Sequence, residues 1–182
     1  MLHPARSTIA GDEVSFVFEY ALLLVFPAAM AFAGAMDLLT MTIPNRISIA
    51  LGLAFLVAAP LAGLSAEAWV SHLSAAGLVL AAGIVMFALG WLGGGDAKLM
   101  TAAALWIGFD DLLVFVTLMA ILGGILALAI LAYRRLPVGA LPGPGWAMRL
   151  HATGTGMPYG LAIAGAALWI YPQTLWFSAL GS

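Results

Sequence analysis

Six apolar runs separated by short polar punctuation organise this chain. They fall at roughly 15–36, 47–64, 70–91, 97–109, 112–133 and 158–178. A helix needs about 20 apolar residues to cross a bilayer core of about 30 Å, so the runs read as transmembrane helices. The fourth run is short. At 1.5 Å per residue, 97–109 reaches only about 20 Å. Trp69, Trp91, Trp106 and Trp176 stand near the ends of runs, where an amphipathic indole favours the membrane interface. Small residues recur four apart, at Ala31 and Ala35, Gly77 and Ala81, and Gly160 and Ala164, which permits close helix packing. There is no internal repeat and no long polar insertion. The expected fold is all-α: a polytopic membrane protein of six transmembrane helices forming a single domain over residues 1–182.

Composition settles the solvent. Of the residues, 64% are hydrophobic and 8% charged, with a mean hydropathy of +1.12. A soluble domain carries about 45–50% apolar and about 25% charged residues, so this chain cannot cover a water-facing surface. The absence of cysteine removes disulfides, thiolate metal sites and cysteine nucleophiles. A net charge of −2 gives no reason to expect a nucleic-acid partner. The segment before the first run carries Asp12, Glu13 and Glu19 against a single Arg6. A cleavable signal wants a positive flank there, so the run reads as a retained span, although Ala29-Met30-Ala31 has the look of a cleavage site.

Charge also orients the spans. With an outside N-terminus, the inside loops hold Arg46, Lys98, Arg134, Arg135 and Arg149, and only Arg6 lies outside. That obeys the positive-inside rule, whereas merging the third and fourth runs into one would break it. Both termini are then outside. The segment 37–46, the turn Gly93-Gly94-Gly95-Asp96-Ala97-Lys98 and the loop 134–157 share the cytoplasmic side. That loop is rich in Pro and Gly and is expected to be mobile.

Two carboxylates stand out. Ionisable groups at membrane segments are costly and mark function. Asp37 closes the first run and Asp96 opens the fourth, at the same face. Taken singly, Asp37 is an ordinary helix end and Asp96 an N-cap, a position that Asp favours. Taken together they form a candidate pair. Carboxylates brought close cannot both ionise easily; one serves as base toward water while the other, protonated, polarises a carbonyl. Which one holds the proton the sequence leaves open. The three glycines read either as a flexible turn with access to positive φ or as a place where another backbone approaches closely. Lys98 fits the lipid headgroups better than a role in neutralising the pair, and Arg46 fits a topology anchor. His72 and His151 lack partners at metal-ligand spacing and His3 lies in a tail, so neither metal nor cofactor is expected.

On these residues the chain resembles the type IV prepilin peptidases, membrane aspartyl proteases of the GxGD kind. The resemblance rests on Asp37 followed by Ile43-Pro44-Asn45, on Gly93-Gly94-Gly95-Asp96-Ala97-Lys98-Leu99, and on Met157-Pro158-Tyr159-Gly160 opening the last run. It implies a GxGD-type helical bundle with Asp37 and Asp96 as the catalytic pair. Gly93, Gly94, Gly95, Lys98, Pro44, Asn45, Pro158 and Tyr159 would then form the surrounding turn and substrate contacts. It further implies cleavage of prepilin leaders at the cytoplasmic face of a bacterial inner membrane, with pilin-like proteins, the bilayer and the pilus assembly machinery as partners. Bifunctional members carry a cysteine-bearing methyltransferase domain between the first two spans; the segment 37–46 is too short for it and holds no cysteine, so methylation is not expected. The compact form resembles the branch serving Flp-type (Tad) pili, the CpaA/TadV group. Two rival readings are a proton-coupled transporter and a non-catalytic subunit of a membrane assembly. The scarcity of polar residues along the spans and the placement of both acids at one face weigh against the transporter.

Overall fold

The computed structural model describes residues 6–136, 144–152 and 154–180, with side chains described for 21–136, 144–152 and 154–177. His3 and the side chains of Arg6, Asp12, Glu13 and Glu19 therefore lie outside the described residues. Within them the chain is all-helical. Helix α1 runs Arg6–Thr40, α2 Asn45–Leu61, α3 Ala66–Ala88, α4 Gly94–Ile107 and α5 Leu112–Arg134. A short α6, Gly145–His151, precedes α7, Tyr159–Ile170, a 3-10 turn, Tyr171–Gln173, and α8, Leu175–Leu180.

Among the described residues, three segments are long and apolar enough to cross a membrane by themselves: Ala21–Thr40 of α1, α3 and α5. Helix α2 has 17 residues and α4 has 14. The sixth expected span is not one continuous helix. It breaks at Pro172, which has no N–H to carry the ladder onward, and Thr174 turns the chain before α8. The lipid-facing character is nonetheless plain. Large side chains stand exposed along α1, α2, α3 and α5, among them Leu24, Leu53, Leu78 and Leu113. An apolar exterior of this extent belongs in a bilayer.

The short α4 sits at the centre, packed chiefly against α3 and also against α2 and α7. Two small residues let it approach: a Cβ on Gly83 of α3 would lie 3.2 Å from the Ala97 Cβ. Helix α1 meets α7 equally closely, since a Cβ on Gly34 would lie 2.9 Å from the Ala164 Cβ. The pair Gly160 and Ala164 thus lies in a helix contact, whereas Gly77 faces open space.

Two of the four tryptophans depart from their expected interfacial place. Trp106 and Trp176 are fully buried, whereas Trp91 is 74% exposed. Trp106 ends α4 inside an aromatic cluster with Phe26, Phe55, Tyr171 and Trp176. Each buried indole N–H finds an acceptor, as desolvation demands: Trp106 Nε1 donates to Leu51 O at 2.9 Å and Trp176 Nε1 to Trp106 O at 2.6 Å. His72 lies in the same cluster, its Nδ1 2.8 Å from Leu105 O. These contacts clamp the C-terminal end of α4. The other end carries Asp96.

The described part of the loop 134–157 comprises residues 134–136, 144–152 and 154–157. It contains α6, and Arg134 ties it down, donating from Nε to Leu150 O and from Nη2 to Thr155 O, both at 2.8 Å. His151 Nε2 sits 2.9 Å from Leu136 O, and Arg149 donates to Leu39 O at the end of α1. Residues 137–143 and 153 of this loop lie outside the described residues.

Candidate active site

Helix α1 ends just past Asp37. The Met41 N–H donates to Asp37 O at 2.8 Å, and Met41 takes φ 57, a left-handed cap on a residue other than glycine. That conformation costs a side-chain-bearing residue about 1 kcal/mol or more. It turns Thr42-Ile43 sharply across the end of the bundle, and Pro44 then serves as N-cap of α2. Asp37 itself is 6% exposed.

A buried carboxylate needs hydrogen-bond partners. Asp37 finds one on a distant helix: the Gly160 N–H donates to its Oδ2 at 2.7 Å. Pro158 caps α7, so Gly160 belongs to the first turn, whose N–H groups have no partner within the helix. Asp37 satisfies one of them and faces the positive end of the α7 dipole. A side chain at 160 would not fit. Its Cβ would lie 2.7 Å from Ile43 Cδ1, 2.8 Å from Asp37 Oδ2 and 3.1 Å from Asp37 Cβ.

Asp96 is placed by the same physics on α4. The helix starts at Gly94 with Gly93 as N-cap, so Asp96 is the third helical residue and not the cap itself. Its carboxyl folds back over Gly93, where a Cβ would lie 2.8 Å from Oδ2. An acid at this position reaching back toward the cap residue is the geometry of a capping box. Neither Gly93, Gly94 nor Gly95 has positive φ; Gly90, just before them, does. What the triplet supplies is close approach within the chain. A Cβ on Gly94 would lie 3.3 Å from the Phe87 ring, and one on Gly95 3.2 Å from the Ile43 Cβ.

Ile43 therefore touches both Gly95 and Gly160, and wedges three separated segments of sequence into one site. Asp37 and Asp96 line a shared cavity of about 300 Å³ with Met41, Thr42, Ile43 and the glycine triplet. The two like charges line one cavity and oppose each other's ionisation, while the Gly160 N–H donates to Asp37. Asp96 thus sits in the first turn of α4, the Asp37 carboxyl, at the end of α1, faces the first turn of α7, and both line a common pocket. Such a pair can hold a single proton between them.

The remaining candidates fall around this cavity. Tyr159 and Asp96 line a neighbouring cavity, and Pro158 is buried at the entrance to α7. Lys98 and Asn45 stand outside the carboxylate cavity; Lys98 Nζ donates to Asn45 Oδ1 at 3.0 Å, which joins α4 to α2 beside an apolar groove. Gly160 and Ile43, which the sequence offers only as parts of the stretches Met157-Pro158-Tyr159-Gly160 and Ile43-Pro44-Asn45, are the residues whose packing shapes the pocket.

Fold and site together define an all-helical membrane protein with two coupled carboxyls at one end of its bundle. Among known families, the type IV leader peptidase family matches residues 24–128, more than half of the chain, and the match includes both Asp37 and Asp96. The chain belongs to that family, and its role is that of a type IV leader peptidase acting on pilin-like substrates. The matched region stops short of α7, so the Gly160 contact is read from the structure alone. Comparisons with curated proteins and with solved structures give no match.

Proposed function

We propose that the chain is an aspartic prepilin leader peptidase in which Asp37 and Asp96 hydrolyse the leader bond directly. The observation that carries this reading is their placement in one cavity, where two like charges oppose each other's ionisation. One carboxylate removes a proton from water as it attacks the scissile carbonyl carbon. The other, protonated, donates to the carbonyl oxygen as the tetrahedral intermediate forms. When the C–N bond breaks, the leaving amine takes the proton gained from water, a hydroxyl of the collapsing intermediate returns its proton to the carboxylate that had donated one, and the pair is back in its starting state. No cofactor is required.

The short 37–46 segment favours the branch that serves Flp-type (Tad) pili, with no methyltransferase domain between the first two spans. The whole of 1–182 acts as one domain with six membrane spans, of which α2, α4 and the broken α7–α8 are the short ones. The balance of Lys and Arg supports a site at the cytoplasmic face of the inner membrane, where the basic leader of a prepilin is presented.

The test is leader processing of an Flp-type prepilin co-expressed with the protein. Asp37→Asn and Asp96→Asn, made separately, each lower cleavage by more than roughly a thousandfold while the protein stays in the membrane, as residues acting as a unit do. Processing that survives either change would return the chain to the assembly-subunit reading.

A further inference from the structure

Helices α2 and α3 both pack on α4. At the end of α4 far from Asp96 they also meet each other, through Phe55 against Trp69 and His72. Nearer Asp96 a groove of about 350 Å³ lies among α2, α4 and Leu80 of α3. Its two long walls repeat one spacing, with Asn45, Ser48 and Gly52 on α2 and Lys98, Thr101 and Leu105 on α4. Seven residues of helix give it a length of about 10 Å. Gly52 keeps it deep, since a Cβ there would meet nothing within 4 Å. Ile49 and Leu80 line it and are exposed, so it opens on the apolar exterior. One end is polar. Lys98 and Asn45 close it, and the Nζ to Oδ1 bond between them uses one of three ammonium protons. Arg46, also exposed, follows Asn45 in the first turn of α2, where main-chain N–H groups favour an anion. No carboxylate is among the residues lining the groove.

We infer that this groove binds one anionic phospholipid, with its phosphate at Lys98 and the start of α2 and one acyl chain laid past Gly52 toward Leu105. A cationic mouth followed by an apolar trough repeats the order of headgroup and tail. The dimensions select a chain over a helix. Spread over about 10 Å, the volume gives a cross-section of about 35 Å², against roughly 80 Å² or more for a helix with its side chains. A zwitterionic lipid fills the trough equally well but leaves the positive charge at the mouth without a net counter-charge. The groove shares no lining residue with the carboxylate cavity, and the inference does not depend on the peptidase reading.

The experiment uses the full-length protein in mild detergent, mixed with phosphatidylglycerol or phosphatidylcholine of identical acyl chains, with bound lipid counted by native mass spectrometry. The wild-type protein retains one phosphatidylglycerol, with a preference over phosphatidylcholine of roughly fivefold or more, the scale of one basic residue against anionic lipid. Lys98→Gln brings the two lipids to within about twofold of each other, and Lys98→Arg keeps the preference. Gly52→Phe fills the trough and abolishes retention of both. Gly124→Phe, on α5 at another open position, leaves retention unchanged and controls for an added ring. Phosphatidylglycerol raises the unfolding temperature of the wild-type and Gly124→Phe proteins but not that of Gly52→Phe. Because Lys98→Gln alters which lipid is chosen, a general folding defect cannot imitate it. Equal retention of the two lipids by the wild-type protein, or retention by Gly52→Phe equal to that of Gly124→Phe, overturns the site. A lipid-free dimer that Gly52→Phe dissociates assigns the groove to a second copy of the chain and overturns it as well.

Discussion

The Gly160 N–H donates to Asp37 across 123 positions of sequence, at 2.7 Å, and thereby fixes one carboxyl of the pair against the start of another helix. The contact tolerates no side chain at 160. Gly160→Ala places a methyl group 2.8 Å from Asp37 Oδ2, so the carboxyl must swing away. A displacement near 1 Å at a reacting group costs about 10²-fold in rate. Leader cleavage should fall by that order while the protein still inserts and unfolds near its normal temperature. Gly124→Ala, where a Cβ meets nothing within 4 Å, is the matched control and should leave cleavage unchanged.

Ile43 and Gly95 form a second constraint on the pocket. A Cβ on Gly95 would sit 3.2 Å from Ile43 Cβ and 3.5 Å from Ile43 O, a fit that relaxes only if the Ile43 segment gives way. Gly95→Ala should therefore weaken cleavage, and adding Ile43→Val, which keeps the Cβ but removes the Cδ1 that abuts Gly160 and so lets the segment shift, should restore part of it. A double-mutant cycle on kcat/KM should return a coupling of about 0.5–3 kcal/mol, as touching residues do. Strict additivity would show that Ile43 does not set the spacing between the glycine triplet and the loop after Asp37.

These contacts mark where the sequence stops being informative. Asp37 and Asp96 are conspicuous because a carboxylate is costly beside apolar runs, and the Lys and Arg distribution puts them on one face. The Gly160 donor leaves no such trace, for a backbone N–H is present at nearly every residue and only the packing of α1 on α7 selects this one. Trp106 and Trp176 were open to misreading for a different reason. An indole near the end of an apolar run satisfies its N–H equally well at a headgroup or on a buried carbonyl. Here Leu51 O and Trp106 O supply the acceptors, which draws both rings into the core. The Arg134 contacts before α7 were hidden likewise, because they go to main-chain carbonyls that any sequence would offer.

Arg134 offers a test of that last point. It donates to Leu150 O and Thr155 O, and Gly156 and Met157, immediately after Thr155, line the neighbouring cavity that Asp96 and Tyr159 border. Hydrogen bonds from a charged group contribute about 1.5–3 kcal/mol each when the acceptor is left without a substitute. Arg134→Ala should raise amide exchange over residues 145–157 by roughly tenfold or more, since each 1.4 kcal/mol is a factor of ten. KM should rise more than kcat falls, because the carboxyl pair is held by other contacts. Exchange unchanged in this segment would mean that α6 is fixed by its packing alone.

The opposite end of α4 should behave as a stability element separable from the chemistry. Trp106 lies ten positions beyond Asp96, about 15 Å along the helix, and touches neither carboxyl. Trp106→Phe removes the donor to Leu51 O, leaves a void among Phe26, Phe55 and Trp176, and loosens the platform that accepts the Trp176 N–H. The lost hydrogen bond and the cavity together should cost about 2–3 kcal/mol. Thermal unfolding in detergent should shift downward accordingly. Below the new transition, cleavage should remain within about twofold of the unmodified protein, because separated sites with no shared partner act independently. A large loss of rate in a well-folded Trp106→Phe protein would mean that the aromatic cluster sets the position of Asp96 through the length of α4, and that the two ends of this short helix work as one rigid unit.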